Sequence, residues 1–123
     1  MFCGLNFINK VVIIVITIDR NNNISIVQHD NAVLNLKVLN RTLGSGDKVL
    51  FLAKRSYSQS SYNIEIEVTS FKADGSADIF ISEADTSNDV GKYKYSICVH
   101  TKEGAITTVV MGELQILEGV HHG

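Results

Sequence analysis

The fold is most clearly indicated by Asp89-Val90-Gly91-Lys92-Tyr93-Lys94-Tyr95-Ser96-Ile97-Cys98-Val99. A turn signal at its start leads directly into a run in which aromatic or aliphatic residues alternate with charged or polar ones. Because the side chains of a strand alternate between its two faces, this run predicts a strand with one apolar and one polar face. The apolar face would carry Tyr93, Tyr95, Ile97 and Val99. The polar face would carry Lys92, Lys94, Ser96, Cys98 and His100.

The start of this strand also indicates the architecture. An acidic residue, a glycine and then a tyrosine, here Asp89, Gly91 and Tyr93, are typical of a late strand in immunoglobulin-like sandwiches, where the tyrosine hydroxyl is hydrogen-bonded back to the corner. Other alternating or β-branched runs recur along the chain, separated by Gly, Asn, Asp and Ser, at spacings of roughly 8–12 residues. The sequence therefore predicts an all-β fold, an immunoglobulin-like antiparallel β-sandwich of about seven to eight strands.

Length, charge and cysteine content limit the class of protein. The 123 residues are predicted to form one domain, residues 1–123. The net charge of −2 and the lack of a basic patch in the sequence argue against a nucleic-acid partner. Tyr95 occupies the position at which an antibody domain carries its second core cysteine. No inter-sheet disulfide is therefore expected, and Cys3 and Cys98 are predicted to be free thiols in a reducing compartment.

The most apolar stretch of the chain is residues 11–18, in which only Thr17 is polar. It is far shorter than the ~20 residues of a membrane span, and it lacks the basic start and the small-residue cleavage site of a signal peptide. Its β-branched residues favour a strand over residues 10–19 that is apolar on both faces. An exposed strand of this kind would aggregate, so residues 1–20 are predicted to make contacts in a homo-oligomer. The candidate interface residues are Val11, Ile14, Ile16 and Ile18.

A polar segment, residues 55–62, contains four serines, one glutamine, Tyr57 and Tyr62. This composition predicts an exposed loop, and it is also the composition that paratopes use. Tyr57 and Tyr62 are therefore the candidate binding loop, with a merely solvated loop as the simpler interpretation.

Three further signals concern local structure. Asp74-Gly75 predicts a hairpin between the strands on either side of it. Ser82 or Asp85 is predicted to start a single helical turn. Gly112 predicts a bulge or a bend in the last strand, and residues 118–123 are predicted to form a flexible tail.

Four groups of residues have the chemistry for catalysis or metal binding: His121 with His122, His29 with Asp30, Glu65 with Glu67, and Asp85 with Asn88 and Asp89. Adjacent histidines on an extended chain point in opposite directions, and no serine lies in a nucleophile elbow. The glutamate pair could suit glycoside hydrolysis, but two acids on one strand face are more simply a solvated surface. The spacing of Asp85, Asn88 and Asp89 does not match a known calcium loop. The sequence therefore predicts no catalytic residues, no cofactor, no metal site and no enzyme activity.

Several short motifs follow one another between residues 30 and 120. They are Asp30-Asn31, Gly46-Asp47-Lys48-Val49-Leu50-Phe51, Asp74-Gly75-Ser76-Ala77, Ser82-Glu83-Ala84-Asp85-Thr86, Gly91-Lys92-Tyr93-Lys94-Tyr95-Ser96-Ile97, and Glu103-Gly104 through Thr107-Thr108 with Gly112-Glu113-Leu114-Gln115-Ile116. In their order and spacing the chain resembles the N-terminal domain of phage upper baseplate proteins, which are immunoglobulin-like modules of tailed-phage virions. One departure is Ser96, where the family often has aspartate.

The resemblance implies a structural virion protein of a tailed bacteriophage, made in the cytoplasm of the bacterial host and located in the virion. It would be a baseplate, tail or capsid-decorating subunit that acts by self-association and by docking onto a larger assembly. Its partners would be itself and other virion proteins, not nucleic acid and not a membrane. The alternative is a carbohydrate- or receptor-binding β-sandwich module, whose partner would be a glycan or a host receptor.

Overall fold

The computed structural model describes residues 17–18, 22–38 and 41–119. This part of the chain contains eight strands and one short helix: β1 (Thr17–Ile18), β2 (Ile24–Val27), β3 (Ala32–Leu36), β4 (Lys48–Lys54), β5 (Ile64–Val68), β6 (Ala77–Ile81), α1 (Glu83–Thr86), β7 (Gly91–His100) and β8 (Ile106–Leu117). Among these same residues, no helix has the length and apolar character needed to cross a membrane. The predicted all-β class is confirmed.

The described strands form two sheets with a common core. The larger sheet has six strands in the order β1-β2-β8-β7-β4-β5, and the smaller sheet pairs β3 with β6. All pairs are antiparallel except β2 with β8, which run parallel. The predicted sandwich is confirmed, but the prediction that it is antiparallel throughout is wrong at this pair. Parallel neighbours need a long connection, and the chain between β2 and β8 supplies one by building the rest of the sandwich.

The core lies between the sheets and is built by alternate residues of each strand. In β4, Val49, Phe51 and Ala53 are buried, and the residues between them are half-buried. In β7 the predicted faces are confirmed, because Tyr93, Tyr95, Ile97 and Val99 are each at most 3% exposed. Burying one large apolar side chain stabilises a fold by roughly 1.5–3 kcal/mol. The two central strands therefore contribute a large share of the core.

Two tyrosines of β7 attach neighbouring segments to this core. The Tyr93 hydroxyl donates to the backbone carbonyl of Asp89 at 2.5 Å, which is the predicted link back to the corner. The Tyr95 hydroxyl donates to the carbonyl of Asn22 at 2.5 Å. The Tyr95 ring stacks on Phe51 with ring centroids 5.3 Å apart. In immunoglobulin domains a tryptophan packs against an inter-sheet disulfide; here Phe51 and Tyr95 lie on neighbouring strands of the larger sheet, so their stack packs within that sheet's inner face and does not link the two sheets.

The predicted hairpin at Asp74-Gly75 is wrong. A tight turn is present, since Gly75 has a φ of 84° and its N–H donates to the carbonyl of Lys72 at 2.8 Å. However, the strands on either side belong to different sheets, because β5 pairs with β4 and β6 pairs with β3. The Asp-Gly signature specifies how the chain turns, but it does not specify which strands become neighbours.

The irregularity predicted in the last strand lies close to Gly112 but not at it. Ile97 pairs with Val110 and Cys98 pairs with Thr108, so the residue between those two on β8 is extra and forms a β-bulge. Gly112 lies against the backbone carbonyl of Asn22, and a Cβ at this position would collide with that oxygen. The glycine therefore permits a close approach of two backbone segments.

The remaining local predictions have different outcomes. Ser82 is the N-cap of α1: its hydroxyl accepts from the N–H of Asp85 at 3.2 Å, and the Asp85 carboxylate accepts from the N–H of Ser82 at 2.9 Å. Of the strand predicted over residues 10–19, the described part is β1, which pairs with β2. Residues 120–123 of the predicted tail, and the candidate interface residues Val11, Ile14 and Ile16, lie outside the described residues.

Candidate functional site

The outer face of the larger sheet has an apolar centre and a charged end. The register of β4, β7 and β8 places four rows of side chains on this face: Lys48, His100 and Ile106; Leu50, Cys98 and Thr108; Leu52, Ser96 and Met111; and Lys54, Lys94 and Glu113. Met111 is 57% exposed, and both leucines are half-buried. Antiparallel sheets commonly present polar residues to solvent. The apolar side chains of the two middle rows, Leu50, Leu52 and Met111, therefore mark this face as a candidate contact surface, which is bordered on β5 by Glu65 and Glu67.

The loop of residues 55–62 closes over one end of this face, and Gln59 organises it. The loop is closed by the N–H of Asn63, which donates to the carbonyl of Ala53 at 2.8 Å. The Gln59 side chain accepts from the N–H of Arg55 at 3.2 Å and donates to the Asn63 side chain at 2.7 Å. The Gln59 carbonyl accepts from the Lys54 ammonium at 2.9 Å. A polar loop is thus held in one shape by side-chain hydrogen bonds that substitute for strand pairing.

A shallow groove runs between this loop and the sheet. Tyr57 and Tyr62, which are 70% and 44% exposed, line it on the side of the loop. Its floor and ends are formed by the following residues: Leu52, Lys54, Lys94, Tyr95, Ser96 and Met111. The groove has a volume of about 190 Å³ and joins a wider depression of about 410 Å³ that reaches Asn23 and Glu113. The predicted loop tyrosines are therefore brought to one side of a single concave surface.

Each groove tyrosine has a lysine ammonium near its ring. The Lys54 ammonium lies 5.1 Å from the centroid of the Tyr62 ring, and the Lys94 ammonium lies 5.9 Å from that of Tyr57. Contacts of this kind contribute roughly 0.5–1 kcal/mol at exposed sites. They orient both rings along the groove and place two positive charges beside them.

Most of the basic residues elsewhere in the described part of the chain form ion pairs, with Lys102 as the exception, whereas those at this end of the sheet do not. Four of the other basic side chains form ion pairs: Lys37 with Asp74, Arg41 with Asp47, Lys48 with Glu67, and Lys72 with Asp78. Within the described residues, Lys54, Lys92 and Lys94 have no carboxylate oxygen within 4.0 Å. Glu113 is the cross-strand neighbour of Lys94 but lies beyond ion-pair distance. As far as residues 22–38 and 41–119 are concerned, this end of the face therefore carries positive charge that no ion pair compensates.

Arg55 is the fourth basic residue at this end of the sheet, and its guanidinium stabilises the fold. Its guanidinium lies 4.8 Å from the centroid of the Tyr93 ring and donates to the Tyr93 hydroxyl at 3.0 Å. A side chain at Gly91, which has a φ of 142°, would collide with this guanidinium. The positively charged end of Arg55 is therefore engaged at the tyrosine corner.

A buried carboxylate at the opposite end of the sandwich is structural. Asp47 accepts from the Arg41 guanidinium at 2.7 Å, from the N–H of Gly44 at 2.9 Å and from the N–H of Lys102 at 3.0 Å. The hydrogen bond from Arg41, followed by that from Gly44, lowers the pKa of Asp47 to about 2. Asp47 is therefore ionised at neutral pH and connects the loop before β4 to the β7–β8 hairpin.

The other groups considered for catalysis or metal binding are separate in the structure. His29 is exposed with a φ of 75°, and Glu65 and Glu67 are exposed on β5. Asp85 is engaged in the helix cap, and the carbonyl of Asp89 accepts from Tyr93. Among the described residues, no three His, Cys, Asp or Glu side chains come together in a way that could hold a metal ion. His121 and His122 lie outside the described residues.

Sequence reasoning found the two loop tyrosines of the groove but not its lysines, Met111 or Gln59. The signal for the lysines was present in part, since Lys92 and Lys94 fall on the predicted polar face of their strand. Their proximity to Lys54 depends on the β4–β7 register, which no single strand encodes. Of the candidate interface residues, Ile18 lies in β1 opposite Ile24 of β2.

No protein-family model and no curated protein matches this chain. The resemblance to phage upper baseplate domains over residues 30–120 therefore stays a prediction that rests on the quoted motifs.

Proposed function

We propose that this chain is a structural virion protein of a tailed bacteriophage that acts by self-association and by docking onto a baseplate, tail or capsid surface. The proposal is supported by the motif resemblance and by one observation above others, the apolar centre of the outer face of the larger sheet. Leu50, Leu52 and Met111 project there from neighbouring strands. Desolvating such side chains favours association by about 25 cal/mol for each Å² of apolar surface that is buried.

The outer face of the larger sheet is too small to form a standard protein–protein interface by itself. Four strands spaced about 4.8 Å apart and about seven residues long cover roughly 20 Å by 20 Å. This is about half of the ~800 Å² that each partner contributes to a standard interface. The proposal therefore assigns the remaining area to the apolar N-terminal segment, with Val11, Ile14, Ile16 and Ile18 as its candidate contacts.

The test is the mass of the purified protein in solution, measured by light scattering at low and high concentration. Self-association predicts a stable trimer, hexamer or larger species. Leu52→Lys, which places a charge in the apolar centre, should reduce the mass to that of a monomer. The control is Phe80→Lys, because Phe80 is 52% exposed on the smaller sheet and lies away from this face. A native protein that is monomeric at high concentration would contradict self-association.

The N-terminal segment is tested separately. Lysine at both Ile14 and Ile16 should prevent assembly or folding. A folded double variant that assembles like the native protein would exclude this segment from the interface.

A second candidate function, a carbohydrate- or receptor-binding module, is favoured by the groove between the loop and the sheet. Two exposed tyrosines, which are rigid and amphipathic, line one side of it. Rings of this type provide contact area at low entropic cost. The module predicts binding on a glycan or peptide array that is lost in Tyr57→Ala and Tyr62→Ala. Binding that survives both substitutions would remove the groove from consideration.

A further inference from the structure

We infer that the groove lined by Tyr57, Tyr62, Lys54 and Lys94 binds an anionic saccharide, with a sugar ring against the tyrosines and a carboxylate or phosphate between the lysines. This inference rests on the second proposed function, that of a binding module. It adds the charge and chemical class of the ligand.

The distribution of charge favours an anionic ligand. Lys54 and Lys94 are cross-strand partners on β4 and β7, and Lys92 lies on the same face two residues before Lys94. Like charges on neighbouring positions of a sheet repel and destabilise it. Elsewhere in the described residues, four basic side chains are neutralised by carboxylates. An anion between the groove lysines would relieve this repulsion, so the site gains electrostatic energy when it is occupied.

The lysines of the groove are held in place by contacts within the protein. Lys54 is held by its hydrogen bond to the Gln59 carbonyl and lies near the Tyr62 ring. Lys94 lies near the Tyr57 ring. Each lysine has three N–H donors, so Lys54 keeps two for a ligand. Side chains that are ordered before binding lose less conformational entropy when a ligand arrives.

The position of the groove on the sheet favours a saccharide over an acidic peptide. Extended peptides commonly bind by adding a strand to a free sheet edge. The groove lies over β4, β7 and β8. At this place β7 is paired on both sides, with β4 and β8, whereas β8 pairs with β2 only over Leu114–Leu117. The middle of the groove therefore offers no backbone hydrogen bonds to a peptide. Exposed tyrosine rings offer apolar faces for the C–H groups of a sugar ring, and hydroxyl groups for its oxygens.

The dimensions fit a short ligand. Pockets for drug-sized molecules occupy about 300–1,000 Å³, and the groove, at about 190 Å³, is smaller. It suits one sugar ring, and the adjoining depression of about 410 Å³ gives a second ring a place to lie. Glu113 lines that depression, and its negative charge would repel an anion bound there. Removing this charge should therefore strengthen binding.

The experiment is calorimetric titration with oligogalacturonate, hyaluronan oligosaccharides and a glycerol-phosphate polymer. The controls are methyl-esterified oligogalacturonate, which has the same sugar ring without the charge, and polyglutamate, which has the charge without the sugar. We expect at least one anionic saccharide to bind, with an affinity that falls as salt rises. The esterified form and polyglutamate should bind at least tenfold more weakly. Preference for the glycerol-phosphate polymer would assign the anion as phosphate, and preference for the uronates would assign it as carboxylate.

Variants locate the site. Lys54→Gln and Lys94→Gln should each weaken binding about threefold, the size expected of an exposed ion pair. Glu113→Gln should strengthen it by a similar factor. Lys102→Gln is the matched control, because Lys102 is an exposed lysine in the β7–β8 hairpin at the other end of the sheet, and it should have no effect.

The outcomes separate the two proposals. Equal binding of charged and esterified saccharides that is lost in Tyr57→Ala would keep the binding module and overturn the anionic ligand. Preference for polyglutamate would also keep the module and overturn the saccharide. Failure of every saccharide and of polyglutamate to bind would overturn both.

Discussion

The tyrosine corner gives the sharpest test of how this fold is held together. Tyr93 is 1% exposed, and its hydroxyl donates to the carbonyl of Asp89 while it accepts from the Arg55 guanidinium. Tyr93→Phe removes this one oxygen atom and leaves the ring in the core. The substitution therefore tests the two hydrogen bonds without opening a cavity large enough to confuse the result.

The expected loss of stability comes from the polar groups that lose their hydrogen bond to the Tyr93 hydroxyl. A buried polar group that loses its partner costs roughly 1–3 kcal/mol. Asp89 and Arg55 both lie at the surface, so water can partly replace the lost oxygen, which places the effect in the lower half of that range. We expect Tyr93→Phe to lower the free energy of unfolding by about 1.5 kcal/mol. For a chain of this length, that corresponds to a fall of roughly 6 °C in the melting temperature.

The assay is urea unfolding followed by circular dichroism, with the m value compared between variants. The matched control is Tyr62→Phe, which also removes a tyrosine hydroxyl, but from a side chain that is 44% exposed. A surface substitution of this type should change stability by less than about 0.5 kcal/mol. If Tyr93→Phe were as mild as Tyr62→Phe at an unchanged m value, the corner hydrogen bonds would not stabilise this sandwich and the reasoning would be refuted.

Three further predictions concern other parts of the fold. The pKa of Asp47 is lowered from 3.8 to about 2, so its contribution to stability is present above about pH 4 and is lost as the pH falls towards 2. Asp47→Asn should therefore reduce the dependence of the free energy of unfolding on pH between 4 and 2. An unchanged pH dependence in this range would contradict the assignment. Gly75→Ala should destabilise more than Gly104→Ala, because both glycines have positive φ but only Gly75 has a neighbour, Thr42, that a Cβ would strike; equal melting temperatures would count against that contact. Ser82→Ala should lower the free energy of unfolding in urea by about 1 kcal/mol through loss of the cap of α1, whereas Ser82→Thr, which keeps the hydroxyl that donates to the Asp85 carboxylate, should retain most of the stability.

The sequence was sufficient where one strand alone determines the outcome. The alternation in residues 91–100 predicted which side chains of β7 are buried, and the apolar run in residues 48–54 predicted a central strand. Ser82 was predicted as a helix start because a capping residue acts within one turn of chain. In each case the stabilising free energy comes from the burial or hydrogen bonding of one strand or one turn. It does not depend on which distant segment becomes its neighbour.

The sequence was insufficient where two distant segments have to be matched. The strands on either side of Asp74-Gly75 alternate well enough to pair with each other, yet β5 pairs with β4 and β6 with β3. Gly112 could be recognised as special, but the carbonyl that it accommodates comes from Asn22, ninety positions earlier in the chain. The groove has the same origin, because Lys54 and Lys94 become neighbours only through the β4–β7 register.

The position of Cys98 shows how the core of this sandwich differs from that of an antibody domain. Cys98 lies on the outer face of β7, where its sulfur is 3.6 Å from the Thr108 hydroxyl, so it cannot bridge the two sheets. The inward position that would hold a bridging cysteine is occupied by Tyr95, which is stacked on Phe51. A stacked aromatic pair contributes about 0.5–1.5 kcal/mol beyond the burial of its area, whereas a disulfide typically contributes about 2–4 kcal/mol. The burial of two large rings and the hydrogen bond from Tyr95 to Asn22 stabilise the larger sheet, and neither depends on the redox state of the compartment. This aromatic pair is therefore compatible with assembly in the reducing cytoplasm of a bacterial host, as the proposed virion role requires.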